Sequence, residues 1–62
     1  MPMTSKEMQR LLMQNGFVCV RQKGSHKVFW NETTKKTVIV PEHAKDLKKG
    51  TEQQILKDAG LK

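Results

Sequence analysis

Three short runs rich in β-branched and aromatic residues follow one another with almost nothing between them, and this leaves the chain few ways to fold. FVCVRQ (17–22), HKVFWN (26–31) and TVIV (37–40) each read as a strand. Lys23-Gly24-Ser25 joins the first two, and its glycine at the first central position suits a type II′ hairpin. ETTKK makes a polar turn before the third run, which Pro41 closes because proline cannot donate to a ladder. Tight reversals between sequential strands make an antiparallel meander.

Two helical patterns bracket the meander. In TSKEMQRLLMQ (4–14), Thr4 and Glu7 fit a capping box, and Met3 and Met8 fall at the positions of a hydrophobic staple. Met8, Leu11 and Leu12 form the buried stripe, and Asn15-Gly16 supplies a stop. PEHAKDLKKG (41–50) reads as a loop with room for one short helical turn. A last helix is expected from Thr51, with Thr51 and Gln54 as a second capping box and Ile55, Leu56 and Ala59 facing inward. Gly60 suits a Schellman ending that folds Leu61 back on Leu56. The expected fold is α+β in the order α-β-β-β-α, a single domain over 1–62. Neither helix is stable alone, so both lay their stripes on one face of the three-stranded antiparallel sheet and leave the other face or an edge open. In the second strand His26, Val28 and Trp30 share one face and Lys27, Phe29 and Asn31 the other. Each face carries an aromatic, so alternation does not say which is buried.

A chain of 62 residues has room for one small core, so a shallow surface suited to a large or polymeric substrate is expected rather than a deep cavity. Twelve Lys and Arg against six Asp and Glu give a net charge of +6, which concerns partners rather than fold. Phosphate backbone is the first candidate, an acidic protein the second and an anionic membrane surface the third. The apolar runs are far shorter than the ~20 residues that a membrane span needs. No signal-peptide pattern precedes the polar N-terminus. With Cys19 as the one cysteine, the expectation is a reducing cytoplasm. One cysteine and two histidines do not match a structural zinc spacing, and no metal or other cofactor is expected.

The residues that carry chemistry cluster at the first hairpin. His26 follows the turn directly, so backbone geometry holds it, and an imidazole can take up a proton and return it near neutral pH. Between residues 21 and 36, five cations (Arg21, Lys23, Lys27, Lys35 and Lys36) face one anion, Glu32. Gly24 lets the backbone approach a phosphate closely, and Ser25 adds a hydroxyl donor. A base, cations and amide dipoles are the parts that drive a ribose 2′-hydroxyl onto its neighbouring phosphate, with the cations stabilising the developing charge. The same residues also suit a generic phosphate-binding hairpin, with His26 as a plain polar strand residue. His43 is a second candidate, for substrate contact or for a structural role at the last helix. Trp30 can stack on a base or serve core or interface packing. Lys45, Lys48 and Lys49 form a second basic cluster, either solvated or contacting phosphate. Cys19 is expected to pack as a small apolar residue.

Taken together, the GF after the first helix, KGSHKVF, VP.H and KKGT…IL.DAGL resemble HicA, the mRNA interferase toxin (also called YcfA-like) of HicAB toxin–antitoxin systems. The resemblance runs from Ser5 to Leu61. It implies a fold like the double-stranded-RNA-binding domain and an endoribonuclease that cleaves mRNA without metal, with His26 as general base. RNA contacts are then expected from Arg21, Lys23, Gly24, Ser25, Lys27, Lys36, Lys48 and Lys49. The resemblance also implies a HicB-type antitoxin that covers the active surface and contacts DNA on the toxin's behalf. A non-catalytic basic RNA-binding module of the same fold is the alternative.

Overall fold

The computed structural model describes residues 3–42 and 46–62. The elements run α1 (Ser5–Gln14), β1 (Phe17–Lys23), β2 (His26–Asn31), β3 (Lys36–Pro41) and α2 (Lys49–Asp58). The strands form one antiparallel sheet in the order β1-β2-β3. The α-β-β-β-α order and the three-stranded antiparallel sheet agree with the sequence reading.

α1 starts as its sequence dictates. The Thr4 hydroxyl accepts from the Glu7 amide at 3.1 Å, and the Glu7 carboxylate accepts from the Thr4 amide at 3.0 Å. These two bonds satisfy free N–H groups at the helix start. The Glu7 carboxyl is held below the ordinary carboxylate range, first by the bond it accepts from the Thr4 amide and next by the Thr4 hydroxyl beside it. Gly16 ends the turn after α1 with φ +90, and a β-carbon there would lie 3.2 Å from Asn31 Nδ2.

Both helices cover the same sheet face. Met8 and Leu12 of α1 and Ile55 and Ala59 of α2 meet Phe17, Phe29, Val38 and Val40 of the sheet in one core. Fully burying side chains of this size contributes about 1.5–3 kcal/mol each for the larger ones, and neither helix could persist without it. Leu47, which the sequence reading assigned to a loop, is also in the core at 3% exposure, with its amide bonded to the Met3 carbonyl at 2.7 Å. Among the described residues, two polar side chains are buried with the core. Ser5 donates to the Pro41 carbonyl and accepts from Gln9. Asn31 accepts from the amides of Thr33 and Thr34 and donates to the Asn15 carbonyl, tying the β2–β3 turn to the end of α1.

Three expectations need correction. α2 begins at Lys49, not Thr51, and Lys48 stands at its N-cap with no side-chain cap. The Thr51–Gln54 capping box does not form; the Gln54 amide instead donates to Asp58 at 2.9 Å. A turn of helix therefore accommodates Gly50, which the sequence reading had placed in the loop. Cys19 is exposed rather than packed. The Schellman ending is present: Leu61 donates to the Leu56 carbonyl at 2.9 Å and Gly60 to Lys57 at 3.1 Å, with Gly60 at φ +74.

The face of β2 that alternation left open is settled by its neighbours. Phe29 pairs with Val38 and Cys19 and is 1% exposed, so the Lys27–Phe29–Asn31 face lies under the helices. His26, Val28 and Trp30 look out from the uncovered face.

Candidate functional site on the uncovered sheet face

The β1–β2 hairpin fixes the position of His26. Lys23 pairs with His26 across a two-residue turn, Gly24-Ser25. Gly24 has φ +60 whereas Ser25 is not among the residues with positive φ. That combination is a type II′ turn, whose twist matches the strands it joins. A β-carbon on Gly24 would meet no atom within 4 Å, so glycine is required there by the backbone and not by crowding. From the other side, the Glu42 amide donates to the Ser25 carbonyl at 2.6 Å. His26 is thus the first residue of a strand clamped on both sides, with Pro41 of β3 opposite it, and its side chain is exposed.

A β-bulge decides which cations join His26. Cys19 pairs with Phe29, but Arg21 rather than Val20 pairs with Val28, so Val20 is an extra residue in β1. Simple alternation from Phe17 would have pointed Arg21 and Lys23 toward the helices. The bulge reverses the parity and puts Arg21 level with Val28 and Lys23 level with His26 on the uncovered face. Arg21, Lys23, Gly24, Ser25 and His26 are all exposed there.

The other sequence candidates are not gathered at this point. Lys27 lies on the helix-side face, half-buried, with its ammonium 3.4 Å from Glu42. The same carboxylate accepts from Gln22, which pairs with Lys27 across the hairpin. Lys36 pairs with Asn31 at the opposite end of the sheet. Its stem lies so close to Gly60 that a β-carbon there would come within 2.9 Å of Lys36 Cε. Lys48 and Lys49 are exposed at the start of α2, in the helix layer. His43 and Lys45 lie outside the described residues. Lys27 follows His26 in the chain, and strand alternation sends the two to opposite faces, as the sequence pattern indicates.

The uncovered face also carries an apolar lane that the charge-centred reading passed over. Val18, Val20 and Ile39 are 56%, 52% and 55% exposed, and Val28 and Trp30 beside them are half-buried. The indole N–H of Trp30 donates to Glu32 at 2.8 Å, and Lys35 reaches the same carboxylate at 3.3 Å with its ammonium 6.0 Å from the indole centroid. The indole bond first, and then Lys35, hold the Glu32 carboxyl below its ordinary range.

No set of three His, Cys, Asp or Glu side chains capable of holding a metal ion is found among the described residues. No helix among them is long and apolar enough to cross a membrane. No curated protein matches the chain. The family model described as "HicA toxin of bacterial toxin-antitoxin" matches residues 5–61. That match takes in both helices, the whole meander and the hairpin histidine, and on its extent the chain belongs to the HicA family of bacterial toxin–antitoxin toxins.

Proposed function

We propose that this toxin is an endoribonuclease that cleaves mRNA without a metal ion, with His26 as the general base. The observation that carries the reading is the registration of Lys23 opposite His26, with Arg21 turned onto the same face by the bulge. In this reading the His26 imidazole removes the proton from a ribose 2′-hydroxyl. The oxygen attacks the adjacent phosphorus, the bond to the 5′-oxygen breaks, and the products are a 2′,3′-cyclic phosphate and a 5′-hydroxyl end. A proton must reach the departing 5′-oxygen, from water or from a protein group. Lys23 and Arg21 neutralise the charge that grows on the non-bridging oxygens, and the Gly24-Ser25 turn offers amide and hydroxyl donors at close range. Lys27, Lys36, Lys48 and Lys49, which stand away from that face, are left to flanking stretches of a longer RNA.

Membership of a toxin–antitoxin family implies an antitoxin partner. We assign that role to a HicB-type protein whose acidic groups meet Arg21 and Lys23. Any contact with DNA would then run through it.

The test is His26→Ala incubated with single-stranded RNA in excess chelator. RNA binding should stay within a few-fold of the native protein while cleavage falls by about 10² or more, the usual worth of a general base. Native-rate cleavage by the variant removes His26 from the mechanism. Intact RNA with the native protein, together with a salt-sensitive mobility shift, would favour a non-catalytic RNA-binding module.

A further inference from the structure

We infer that the apolar lane on the uncovered sheet face is a base-binding platform for single-stranded RNA, with Trp30 as the stacking residue. The inference rests on the endoribonuclease reading and adds where the substrate strand lies.

The lane begins at the proposed cleavage point. His26, Val28 and Trp30 occupy one face of one strand, and their cross-strand partners are Lys23 and Pro41, Arg21 and Ile39, and Val18 and Thr37. Moving from His26 to Trp30 therefore passes from cations to an apolar floor without leaving the sheet. At about 3.3 Å per residue the two side chains stand about 13 Å apart. Stacked nucleotides repeat at about 3.4 Å along one strand, so no more than about four nucleotides separate a base on Trp30 from a phosphate at His26.

Three features favour RNA over a protein as the occupant. First, cations flank the lane at both ends, Arg21 and Lys23 by the hairpin and Lys35 beside Trp30. Second, the carboxylate nearest the indole, Glu32, is already engaged by the Trp30 N–H and by Lys35, so less of its charge faces an incoming phosphate. Third, the tether to Glu32 fixes the ring at its edge, and the Lys35 side chain, 65% exposed, is free to swing from the ring toward a backbone phosphate when a base arrives. Aromatic rings on an open sheet with apolar neighbours are a recurrent way to hold unpaired bases, and duplex RNA offers no base faces to such a surface.

The chain has a single tryptophan, so its fluorescence reports on this residue. Titrating the His26→Ala protein with a short unstructured oligoribonucleotide should quench the emission, with half-effect at the concentration that half-saturates binding. Stacking is worth about 1–3 kcal/mol per base, so Trp30→Leu, which keeps apolar bulk and loses the ring face, should bind about 5–150-fold more weakly. Trp30→Phe should recover most of that loss. In the His26-intact protein Trp30→Leu should raise KM by a similar factor and leave kcat within about threefold, because the ring lies away from the reacting atoms. Ile39→Ser, at a position 55% exposed, should weaken binding a few-fold with the fold intact, which covers the case of a misfolded Trp30 variant. Unchanged RNA affinity in Trp30→Leu and Ile39→Ser, with cleavage intact, overturns the platform and leaves the endoribonuclease reading standing. Absence of any RNA binding or cleavage by the native protein overturns both. Emission that responds to a protein partner and not to RNA assigns the lane to that partner instead and overturns the platform.

Discussion

Phe29 and Trp30 are neighbours in the chain and meet opposite fates. Phe29 is 1% exposed beneath two helices, whereas Trp30 lies on the uncovered face, its indole edge tied to a surface carboxylate. The same split divides the whole sheet. Its covered face is Phe17, Phe29, Val38 and Val40, closed by Met8, Leu12, Ile55 and Ala59. Its uncovered face is apolar too, with Val18, Val20 and Ile39 each more than half exposed. Folding accounts for the first set. It does not account for the second, since a small domain gains nothing from leaving such residues in water. The difference between the faces separates what holds the protein together from what the protein presents to others.

The largest expected effect tests that separation at two consecutive residues. Val38→Asp puts an unpaired carboxylate in the core and should cost about 4 kcal/mol or more, enough to unfold a domain of this size. Ile39→Asp, one residue on and 55% exposed, should stay within about 0.5 kcal/mol of the native stability and impair RNA binding instead. Thermal or denaturant melts of the two variants side by side decide it. Similar losses in both would mean that the faces are not energetically distinct.

Asn31 sharpens the covered side. Its amide carries three hydrogen bonds at 2.9, 2.9 and 3.0 Å and links the β2–β3 turn to α1. Asn31→Ala should cost about 2 kcal/mol, the penalty of leaving buried partners unsatisfied. The fraction that remains folded should cleave RNA at the native rate, because the uncovered face is untouched.

Gly24 sharpens the other side. Its φ of +60 is unfavourable for any residue with a β-carbon, by about 1–2 kcal/mol. Gly24→Ala should lower stability by that amount. If the hairpin positions His26 against Lys23, cleavage should fall by more than the unfolded fraction explains. A variant that loses stability alone would show that the turn is merely structural.

Much of this was legible in the residues. The Thr4–Glu7 box, the three strands, the Gly24-Ser25 turn and the Gly60 ending all rest on local chemistry, and the structure contains each of them. What could not be read depends on partners distant in sequence. The buried face of β2 is fixed by Val38 and Phe17, not by its own alternation. The bulge at Val20 has no local signature in FVCVRQ, yet it alone turns Arg21 and Lys23 toward His26. The start of α2 was misplaced because Thr51 and Gln54 match a capping pattern, while the helix begins two residues earlier behind an uncapped Lys48. Lys27, by contrast, needs no distant partner to place it: alternation along β2 already sets it on the face opposite His26, and the structure keeps it there.

The smallest effect compares two exposed carboxylates held below the ordinary value of 4.5, Glu7 by Thr4 and Glu32 by Trp30. Each is more acidic in the folded state than in the unfolded chain. The stabilisation each gives is therefore complete above the unfolded value and fades as pH falls through the lower, folded one. Glu7 holds the start of a helix that closes the core, so its protonation should weaken the fold; Glu7→Gln should flatten the acid limb of a stability profile recorded below pH 4.5. Glu32 holds only an indole edge on the uncovered face. Its protonation should change Trp30 emission while the melting curve barely moves, and Glu32→Gln should abolish that spectral step. If acid instead shifts the melting curve through Glu32 as much as through Glu7, the Trp30 tether is part of the fold's support, and the division between the two faces is less sharp than their burial suggests.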